Sequence, residues 1–393
     1  MPVAPKILFV HYSDLDMTGG ERMTLRLIEG MKRSGSRPVL LTQRLGPLAQ
    51  ATRVGGIETI ILPLPNSLNR YDGEIFRYSA FRLLACAADL LLYNIRFGLL
   101  LRKGEFSAVW CSNIRALLSI GITARVLRIP VIWNIWLARQ FGRATRRVYD
   151  LCYLLPNVIV TEYHGQAASV FPGRTIADQK ITTVYTGLNP SAFLARKGTP
   201  DGKGAARSGL PRIVSCGRIT PRKGLEYLLE ATALLAARGK RIKVTIVGKP
   251  FSEADRQYCD HLKQQAHRQG IASLVTFADW RDDIRPYLNS ADLYVSSSLG
   301  EGLPGAVREA QAAGLPVVAT DAGGTAEALQ DGVSGMLVPC GDAHALAAAI
   351  ETMVADPELA ASYGNAGRRR AAKRFSMETF IQNYSSVFQR VLS

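Results

Sequence analysis

Short runs of β-branched and aliphatic residues alternate with longer segments that carry apolar residues at helical spacing along the whole 393-residue chain. This alternation is typical of β-α-β units and predicts an α/β protein with mostly parallel sheets. In the first half, strands are expected at residues 6–12, 38–42, 58–62, 108–112, 131–135, 158–162 and 182–185. In the second half, they are expected at residues 212–216, 243–247, 274–277, 293–296, 316–320 and 335–338. Two such series predict two Rossmann-like, doubly wound domains rather than one barrel.

The two series are separated by residues 196–211, which are rich in glycine and lysine and lack apolar periodicity. That composition is typical of an inter-domain linker. We therefore assign an N-terminal domain to residues 1–195 and a C-terminal domain to residues 212–375. In residues 376–393, three aromatic residues at a spacing of four predict a final helix that could pack back onto the first domain.

One apolar segment, residues 81–103, is long enough to span a lipid bilayer. It contains Asp89, Asn94 and Arg96, each of which is costly at the centre of a bilayer. A transmembrane helix is therefore disfavoured, and a partly buried helix between strands is favoured over one that lies in a membrane interface.

The first apolar stretch of the chain is only four residues long, at 7–10, which is too short for a signal peptide. The six cysteines form no CxxC pair, so neither a disulfide framework nor a zinc site is expected. A reducing, cytoplasmic location is the natural interpretation.

Positive charge is concentrated in the first half of the chain, which makes up most of the total of +16. Residues 1–200 hold 25 Lys and Arg against 12 Asp and Glu, whereas residues 201–393 hold 23 against 20. Such a field attracts phosphates, anionic lipid headgroups or nucleic acid. Nucleic acid is disfavoured because no helix-turn-helix, zinc or RNA-stacking motif accompanies the charge. The arginines that follow candidate strands could attract anionic lipid or form a solvated basic surface; they are Arg125, Arg128, Arg139, Arg143, Arg146 and Arg147.

A glycine-rich loop lies in the second half, at the start of the segment LGEGLPGAVREAQAAGLPVVAT, residues 299–320. Glu301 precedes a turn at residues 302–305, and Glu309 follows on the helix that this turn opens. Backbone N–H groups at such a helix start suit phosphate or developing negative charge. Glu309 could accept hydrogen bonds from a diol such as a ribose. The alternative is two solvated glutamates that the helix dipole favours.

A second motif, GRITPRKG at residues 217–224, follows the first strand of the same half. Arg218 and Lys223 stand on a short turn that leads into a helix. Two cations on such a turn match a diphosphate, with Arg218 as a bidentate fork and Lys223 as a point charge. Alone, the motif could be an ordinary basic loop.

With both motifs in one Rossmann-like half, the sequence resembles the retaining GT-B glycosyltransferases of family GT4. The resemblance is close over residues 212–375 and looser before them. Further matching segments are residues 17–22, 184–189, 320–324 before Glu327, and 331–339. The resemblance implies a GT-B fold, with two domains facing a cleft. The C-terminal domain would hold a nucleotide-sugar donor and the N-terminal domain an acceptor.

The resemblance also implies roles for individual residues. Arg218 and Lys223 would hold the donor diphosphate and stabilise the leaving group, and Glu301 would face the donor sugar; these three are the predicted catalytic residues. Glu309 would bind the ribose hydroxyls, and the nucleobase would lie near residues 279–281. The other predicted donor-binding residues are Gly19, Gly20, Trp280, Arg281, Gly302, Leu303, Pro304, Gly305 and Ala306.

The acceptor side departs from the family pattern. Many relatives carry a histidine where this chain has Asn134 or Trp136, neither of which can act as a general acid or base. In a front-face retaining transfer, the departing phosphate can accept the proton instead. His11 and His164 could substitute for the histidine or be ordinary core and surface residues. The candidate acceptor-side residues are His11, Asn134, Trp136, Arg139 and His164.

The resemblance implies a retaining glycosyltransferase. Metal-independent transfer is predicted, because fixed cations and N–H dipoles can stabilise a departing phosphate. No cofactor is expected beyond a UDP- or GDP-linked sugar donor. Residues 14–16 match a metal-binding DxD pattern of another fold, but they are interpreted as a loop. The expected acceptor is a lipid-linked or cell-surface glycan precursor, reached by peripheral contact of the basic domain with the cytoplasmic membrane face.

Two other function classes stay open. A non-catalytic nucleotide-sugar-binding subunit of a glycan-assembly complex would explain the missing histidine. A dinucleotide-dependent oxidoreductase is weaker, because no GxGxxG follows the first strand.

Overall fold

The computed structural model describes residues 4–12, 17, 19–65, 67, 80–136, 143–174, 177–193 and 209–393. The chain divides into two compact units. The first unit comprises Met1–Thr186 and Phe380–Ser393, and the second comprises Gly187–Thr379.

The first unit is built on a seven-stranded sheet in the order β3-β2-β1-β4-β5-β6-β7, in which every neighbouring pair is parallel. Its strands are β1 (Lys6–Val10), β2 (Arg37–Thr42), β3 (Glu58–Ile61), β4 (Ala108–Cys111), β5 (Val131–Ile135), β6 (Val158–Thr161) and β7 (Ile181–Thr183). Its helices are α1 (Gly19–Arg33), α2 (Pro47–Val54), α3 (Ala80–Gly104), α4 (Ile114–Val126), α5 (Arg143–Cys152) and α6 (His164–Val170). Helices cover both faces of the sheet, which explains the continuous apolar runs of the central strands.

The last helix of the chain, α14 (Met377–Leu392), supplies residues 380–392 to the first unit. Phe388 packs edge-on against Phe9 of β1, with ring centroids 5.9 Å apart. The Tyr384 hydroxyl donates a hydrogen bond to the side-chain oxygen of Asn134 in β5. The predicted packing of the C-terminal helix against the first domain is therefore confirmed.

The second unit contains a six-stranded parallel sheet in the order β10-β9-β8-β11-β12-β13. Its strands are β8 (Arg212–Cys216), β9 (Lys243–Val247), β10 (Val275–Ala278), β11 (Leu293–Ser296), β12 (Val317–Thr320) and β13 (Met336–Val338). Its helices are α7 (Leu225–Ala237), α8 (Glu253–Arg268), α9 (Arg285–Ser290), α10 (Gly305–Ala312), α11 (Thr325–Ala328), α12 (Ala343–Ala355) and α13 (Pro357–Arg374). The thirteen predicted strands are all present, with ends that agree to within two residues.

The boundary between the units lies earlier than the predicted end of the first domain at residue 195. Leu188 belongs to the second unit because its N–H donates to the Phe375 carbonyl at 2.8 Å, and its carbonyl accepts from the Met377 N–H at 2.8 Å. These backbone bonds tie the segment after Thr186 to the end of α13. Most of the predicted linker, residues 196–211, lies outside the described residues.

Helix α3 occupies the apolar segment whose membrane affinity the sequence left open. A narrow stripe of the helix, made of Tyr93, Phe97 and Leu101, is buried in the core of the first unit. By length and composition Leu84–Gly104 could cross a membrane, and only 22% of its most apolar stretch is buried in the protein. The expectation of a helix between strands is confirmed, but most of its apolar surface faces outward.

Candidate functional site

The loop after β8 carries the two cations of the second motif. The chain leaves β8 at Cys216, forms a 3-10 turn at Pro221–Lys223 and enters α7 through Gly224. Gly224 has φ +54°, and a Cβ there would lie 2.3 Å from the Ser297 carbonyl oxygen. Glycine is required at this point, because the turn approaches the loop after β11 more closely than any side chain would permit.

This approach places Lys223 against Glu301, 78 positions later in the chain. The Lys223 Nζ lies 2.5 Å from the Glu301 Oε1, and the Ser298 hydroxyl donates to the same oxygen at 2.6 Å. The Lys223 side chain is 20% exposed and the Glu301 side chain 8%. Both contacts use Oε1, so Glu301 Oε2 has no hydrogen-bond partner among the described residues. The carboxylate is held in place with one oxygen unused.

A third loop fixes the backbone around Glu301. Gly323 has φ +56°, and a Cβ there would lie 2.0 Å from the Glu301 carbonyl oxygen. The Gly324 N–H donates to the Gly302 carbonyl at 2.9 Å. Directly after this contact, Pro304 caps the start of α10 at Gly305. The first N–H groups of a helix lack intrahelical partners and carry partial positive charge, so this end of α10 can receive an anion.

The loops after β8 and β11 meet around a pocket at the carboxyl ends of these two strands. Arg218 and Lys223 line it from one side, and the serines at 296–298 line it from the other. Ligands of open α/β sheets bind at such strand ends.

Electrostatic coupling shows that Glu309 of α10 belongs to the same neighbourhood. Burial raises the pKa of the Cys216 thiol, which lines the pocket, to about 12. The negative charge of Glu309 contributes to this rise, and the positive charge of Lys223 opposes it. Burial likewise raises the pKa of Tyr294 well above its usual value, and Cys216, Glu301 and Glu309 add to that shift. Arg218 and Lys223 thus line one pocket, Lys223 contacts Glu301, and Glu309 lies near Cys216 and Tyr294 beside them.

An aromatic pair extends the site beyond Arg218. The Arg218 guanidinium lies 4.7 Å from the centre of the Phe251 ring, and the Lys249 Nζ lies 5.4 Å from it. The Phe251 and Trp280 rings are 5.6 Å apart and nearly perpendicular. Phe251 is 48% exposed and Trp280 37%, so both rings offer surface to a ligand. Trp280 and the exposed Arg281 next to it thus join the site through Phe251.

Two predicted donor-binding glycines, Gly19 and Gly20, lie in the first unit. Gly19 and Gly20 form the first residues of α1, and a Cβ at either position would meet no atom within 4 Å among the described residues. The segment before them contains the DxD match, whose residues 14–16 lie outside the described part of the chain.

The described acceptor-side candidates lie in or just after the last residues of strands in the first unit, but they are not equivalent. His11 is buried, with its Nε2 3.3 Å from Glu21 Oε1 and its Nδ1 3.2 Å from Thr24 Oγ1. Asn134 is also buried and accepts the hydrogen bond from Tyr384 described above.

The other acceptor-side candidates differ in exposure. Trp136 follows β5 and packs edge-on against Trp110. His164 at the start of α6 is exposed, and its Nδ1 lies 3.1 Å from the Tyr185 hydroxyl. Arg139 lies outside the described residues. Of the two histidines, His164 therefore faces solvent, whereas His11 is held inside.

Sequence reasoning missed Ser298 and Phe251. Three consecutive serines, 296–298, at the end of the buried strand β11 were a usable signal for the first. Phe251 gave no such signal, because a single aromatic residue in a polar loop is common.

Comparison with known proteins agrees with this geometry. Residues 210–356 match the family described as Glycosyl transferases group 1. This match lies within the second unit, Gly187–Thr379. Over 174 residues the chain is 35% identical to the lipopolysaccharide core biosynthesis glycosyltransferase LpsE of Rhizobium meliloti, covering 44% of this chain and 48% of LpsE. It is 37% identical over 185 residues to a D-inositol 3-phosphate glycosyltransferase of Geodermatophilus obscurus, covering 45% of this chain and 39% of that relative. The chain thus spans about half the length of the curated relatives that it matches.

Solved structures extend the likeness to the whole fold. Alr3699/HepE of Anabaena in complex with UDP has a TM-score of 0.76 at 21% identity, covering 98% of this chain and 100% of that one. A glycosyltransferase from Rickettsia africae has a TM-score of 0.78 at 17% identity, covering 99% of each. The predicted GT-B fold class is confirmed: the chain has two Rossmann-like units, and the family match lies in the second of them.

Proposed function

We propose that the protein is a retaining glycosyltransferase that moves a sugar from a nucleoside-diphosphate sugar to a hydroxyl of a lipid-linked or cell-surface glycan precursor, without a metal ion. One arrangement in the second unit carries this proposal: Arg218 and Lys223 line a pocket, and Lys223 and Ser298 of its lining hold Glu301. Two cations and one fixed carboxylate at the carboxyl ends of parallel strands suit a diphosphate that is joined to a sugar.

The proposed chemistry follows from the charges. When the bond to the sugar breaks, negative charge develops on the leaving diphosphate, and the anomeric carbon becomes oxocarbenium-like. Arg218, Lys223 and the N–H groups at the start of α10 would stabilise the diphosphate, so no metal is needed for this task. The unused Oε2 of Glu301 would accept a hydrogen bond from a sugar hydroxyl. Glu309 would bind the ribose.

A UDP-linked donor is supported by the solved structures of Alr3699/HepE, which are described in complex with UDP, with UDP and glucose, and with UDP-glucose. The exposed Phe251 and Trp280 rings beside Arg218 offer a surface on which a nucleobase could stack.

A glycan acceptor is supported by the names of relatives, among them LpsE and the amylovoran biosynthesis glycosyltransferase AmsK of Erwinia amylovora. A lipid-linked acceptor at the cytoplasmic membrane face agrees with the excess of positive charge in residues 1–200. Peripheral attachment at that face is part of the proposal.

The test is to incubate the chain with a panel of UDP-, GDP- and ADP-sugars and lipid-linked acceptors. Transfer should release nucleoside diphosphate, continue in the presence of EDTA, and give a product whose anomeric configuration by NMR equals that of the donor. Loss of transfer with EDTA would contradict metal independence, and an inverted anomer would contradict retention.

A non-catalytic sugar-nucleotide-binding subunit is the second candidate. It is favoured by Asn134, which stands near the family's histidine position and is occupied by the internal hydrogen bond from Tyr384. Such a subunit would bind the donor and return it intact in the same assay.

A further inference from the structure

Three adjacent helices of the first unit, α3, α4 and α5, cover one face of its sheet. Their inner sides contribute Phe97, Leu117 and Cys152 to the same hydrophobic core as Val10 and Trp133 of the sheet. Helix α4 contacts both α3 and α5. The outer sides of the three helices therefore form one continuous surface.

That surface is unusually apolar. On α3, the exposed side chains at positions 91, 95 and 99 form a stripe at helical spacing, and on α4 the exposed positions 118, 122 and 126 do the same. Together with neighbouring apolar residues, these side chains have exposed fractions of 41% to 75%. Single exposed leucines are ordinary, but a contiguous set of this size marks an interaction surface. We call it the apolar face; it consists of Leu84, Leu91, Leu92, Ile95, Leu99, Leu118, Ile122, Val126, Leu151 and Leu154.

Basic side chains lie among these apolar residues. Among the side chains that the structure describes on these helices, the exposed cations are Arg96, Arg102, Lys103, Arg125, Arg146 and Arg147. The acidic residues of the same helices are Asp89, which is half-buried, and the exposed Asp150. Long basic side chains can extend to lipid phosphates while leucines enter the acyl boundary. The charge of the surface is thus complementary to anionic lipid and unfavourable for another copy of the same basic surface.

The inner side of α3 is tied to the fold of the first unit, which opposes an orientation of this helix across a membrane. The Tyr93 hydroxyl is 2.6 Å from the Tyr12 hydroxyl, and Thr123 of α4 donates a hydrogen bond to the Asn94 side chain at 2.5 Å. A spanning orientation would have to break these contacts and expose Phe97, which is fully buried. The helix therefore offers only its outer side to lipid.

We propose that the apolar face docks the first unit onto an anionic bilayer, with α3, α4 and α5 lying in the headgroup region. The choice of lipid as the occupant rests on this charge pattern and also on the proposed function, because a lipid-linked acceptor is presented at such a surface. Salt should weaken the attachment only in part, since apolar insertion persists when charge is screened.

The experiment is flotation of the full chain with phosphatidylglycerol-containing vesicles and with pure phosphatidylcholine vesicles. The wild type should float with the anionic vesicles and less with the neutral ones. A variant with Leu91→Gln, Ile95→Gln and Leu99→Gln, which changes exposed residues only, should bind anionic vesicles roughly tenfold or more weakly. The matched control is Val54→Gln, which replaces a 90% exposed valine on α2, outside the apolar face; it should float like the wild type.

The proposal is overturned if the wild type does not float, or if the triple variant floats as well as the wild type. It is also overturned if light scattering shows a wild-type oligomer that the triple variant disrupts, because the face would then be a protein interface. Calorimetry with UDP on the same variants separates the two proposals. Flotation without UDP binding would contradict the proposed function alone, and UDP binding without flotation would contradict only the membrane face.

Discussion

Replacing Lys223 with alanine tests the central interaction of the candidate site. The Lys223 ammonium lies 2.5 Å from Glu301 Oε1 and lines the pocket proposed for the donor diphosphate. A hydrogen bond to a charged group contributes about 1.5 to 3 kcal/mol. Its loss corresponds to a roughly tenfold to hundredfold weaker affinity for UDP. Because the side chain is 20% exposed, solvent screening places the expected loss toward the lower end of that range.

The partner residue gives an effect of opposite sign. Glu301→Gln keeps the shape of the side chain and removes the negative charge that competes with a phosphate for the Lys223 ammonium. UDP affinity should therefore stay the same or rise. Sugar transfer should fall, because the glutamine side chain offers a sugar hydroxyl either an NH2 group or a neutral oxygen, which accepts a hydrogen bond less strongly than a carboxylate oxygen.

Isothermal titration with UDP measures both variants, and thermal unfolding reports whether each one folds. Lys240→Ala is the matched control, because Lys240 also faces a glutamate, Glu351, at 3.9 Å but is 61% exposed in the segment after α7. It should leave UDP affinity unchanged. A folded Lys223→Ala variant that binds UDP as tightly as the wild type would refute the assignment of the pocket.

Further predictions concern the loops, the first unit and the thiols. Gly323→Ala should lower the free energy of unfolding by at least about 2 kcal/mol, because the new Cβ would lie 2.0 Å from the Glu301 carbonyl oxygen. Gly332→Ala, at a glycine with φ +67° and open space around it, should lower it by only about 1 kcal/mol. Equal losses in thermal unfolding would contradict the close contact at Gly323. The Tyr153 hydroxyl lowers the pKa of Asp178, so this carboxylate stabilises the fold above its unfolded pKa and the stabilisation is lost as pH falls through the folded pKa. Asp178→Asn should accordingly lower the Tm at pH 7 but not in strong acid, and the same loss at both pH values would contradict the link. The native chain should react with one equivalent of a thiol reagent, at Cys340, because the other five cysteines are buried. Labelling of a second cysteine as fast as Cys340 would contradict the burial of these five.

Much of the fold was predictable because it depends on local pattern. A strand buried on both faces must be apolar throughout, so runs such as residues 213–216 and 293–295 stand out against the helices around them. The motif around Lys223 was equally visible, since a proline and a glycine in fixed positions define a tight turn before a helix. The predicted strands were therefore present with ends correct to within two residues.

The exposure of side chains was less predictable. Apolar periodicity shows which positions can be buried but not how wide a stripe a neighbouring element will cover. On α3 the sheet covers only the stripe through Tyr93 and Phe97, and Leu91 and Ile95 on the same turns are left outside. In the same way, His11 was open to either role until Thr24 and Glu21 were found on its two ring nitrogens.

By itself, then, the sequence determined the α/β class, the strand positions and the residue types that can hold a diphosphate. Only the tertiary structure decided that Lys223 meets Glu301 and Ser298, and that Phe251 lies beneath Arg218. The reason is that parallel strands bring their carboxyl ends to one edge of a sheet, and the order β10-β9-β8-β11 decides which loops become neighbours there. That order results from packing among distant segments, so no local pattern in the sequence records it.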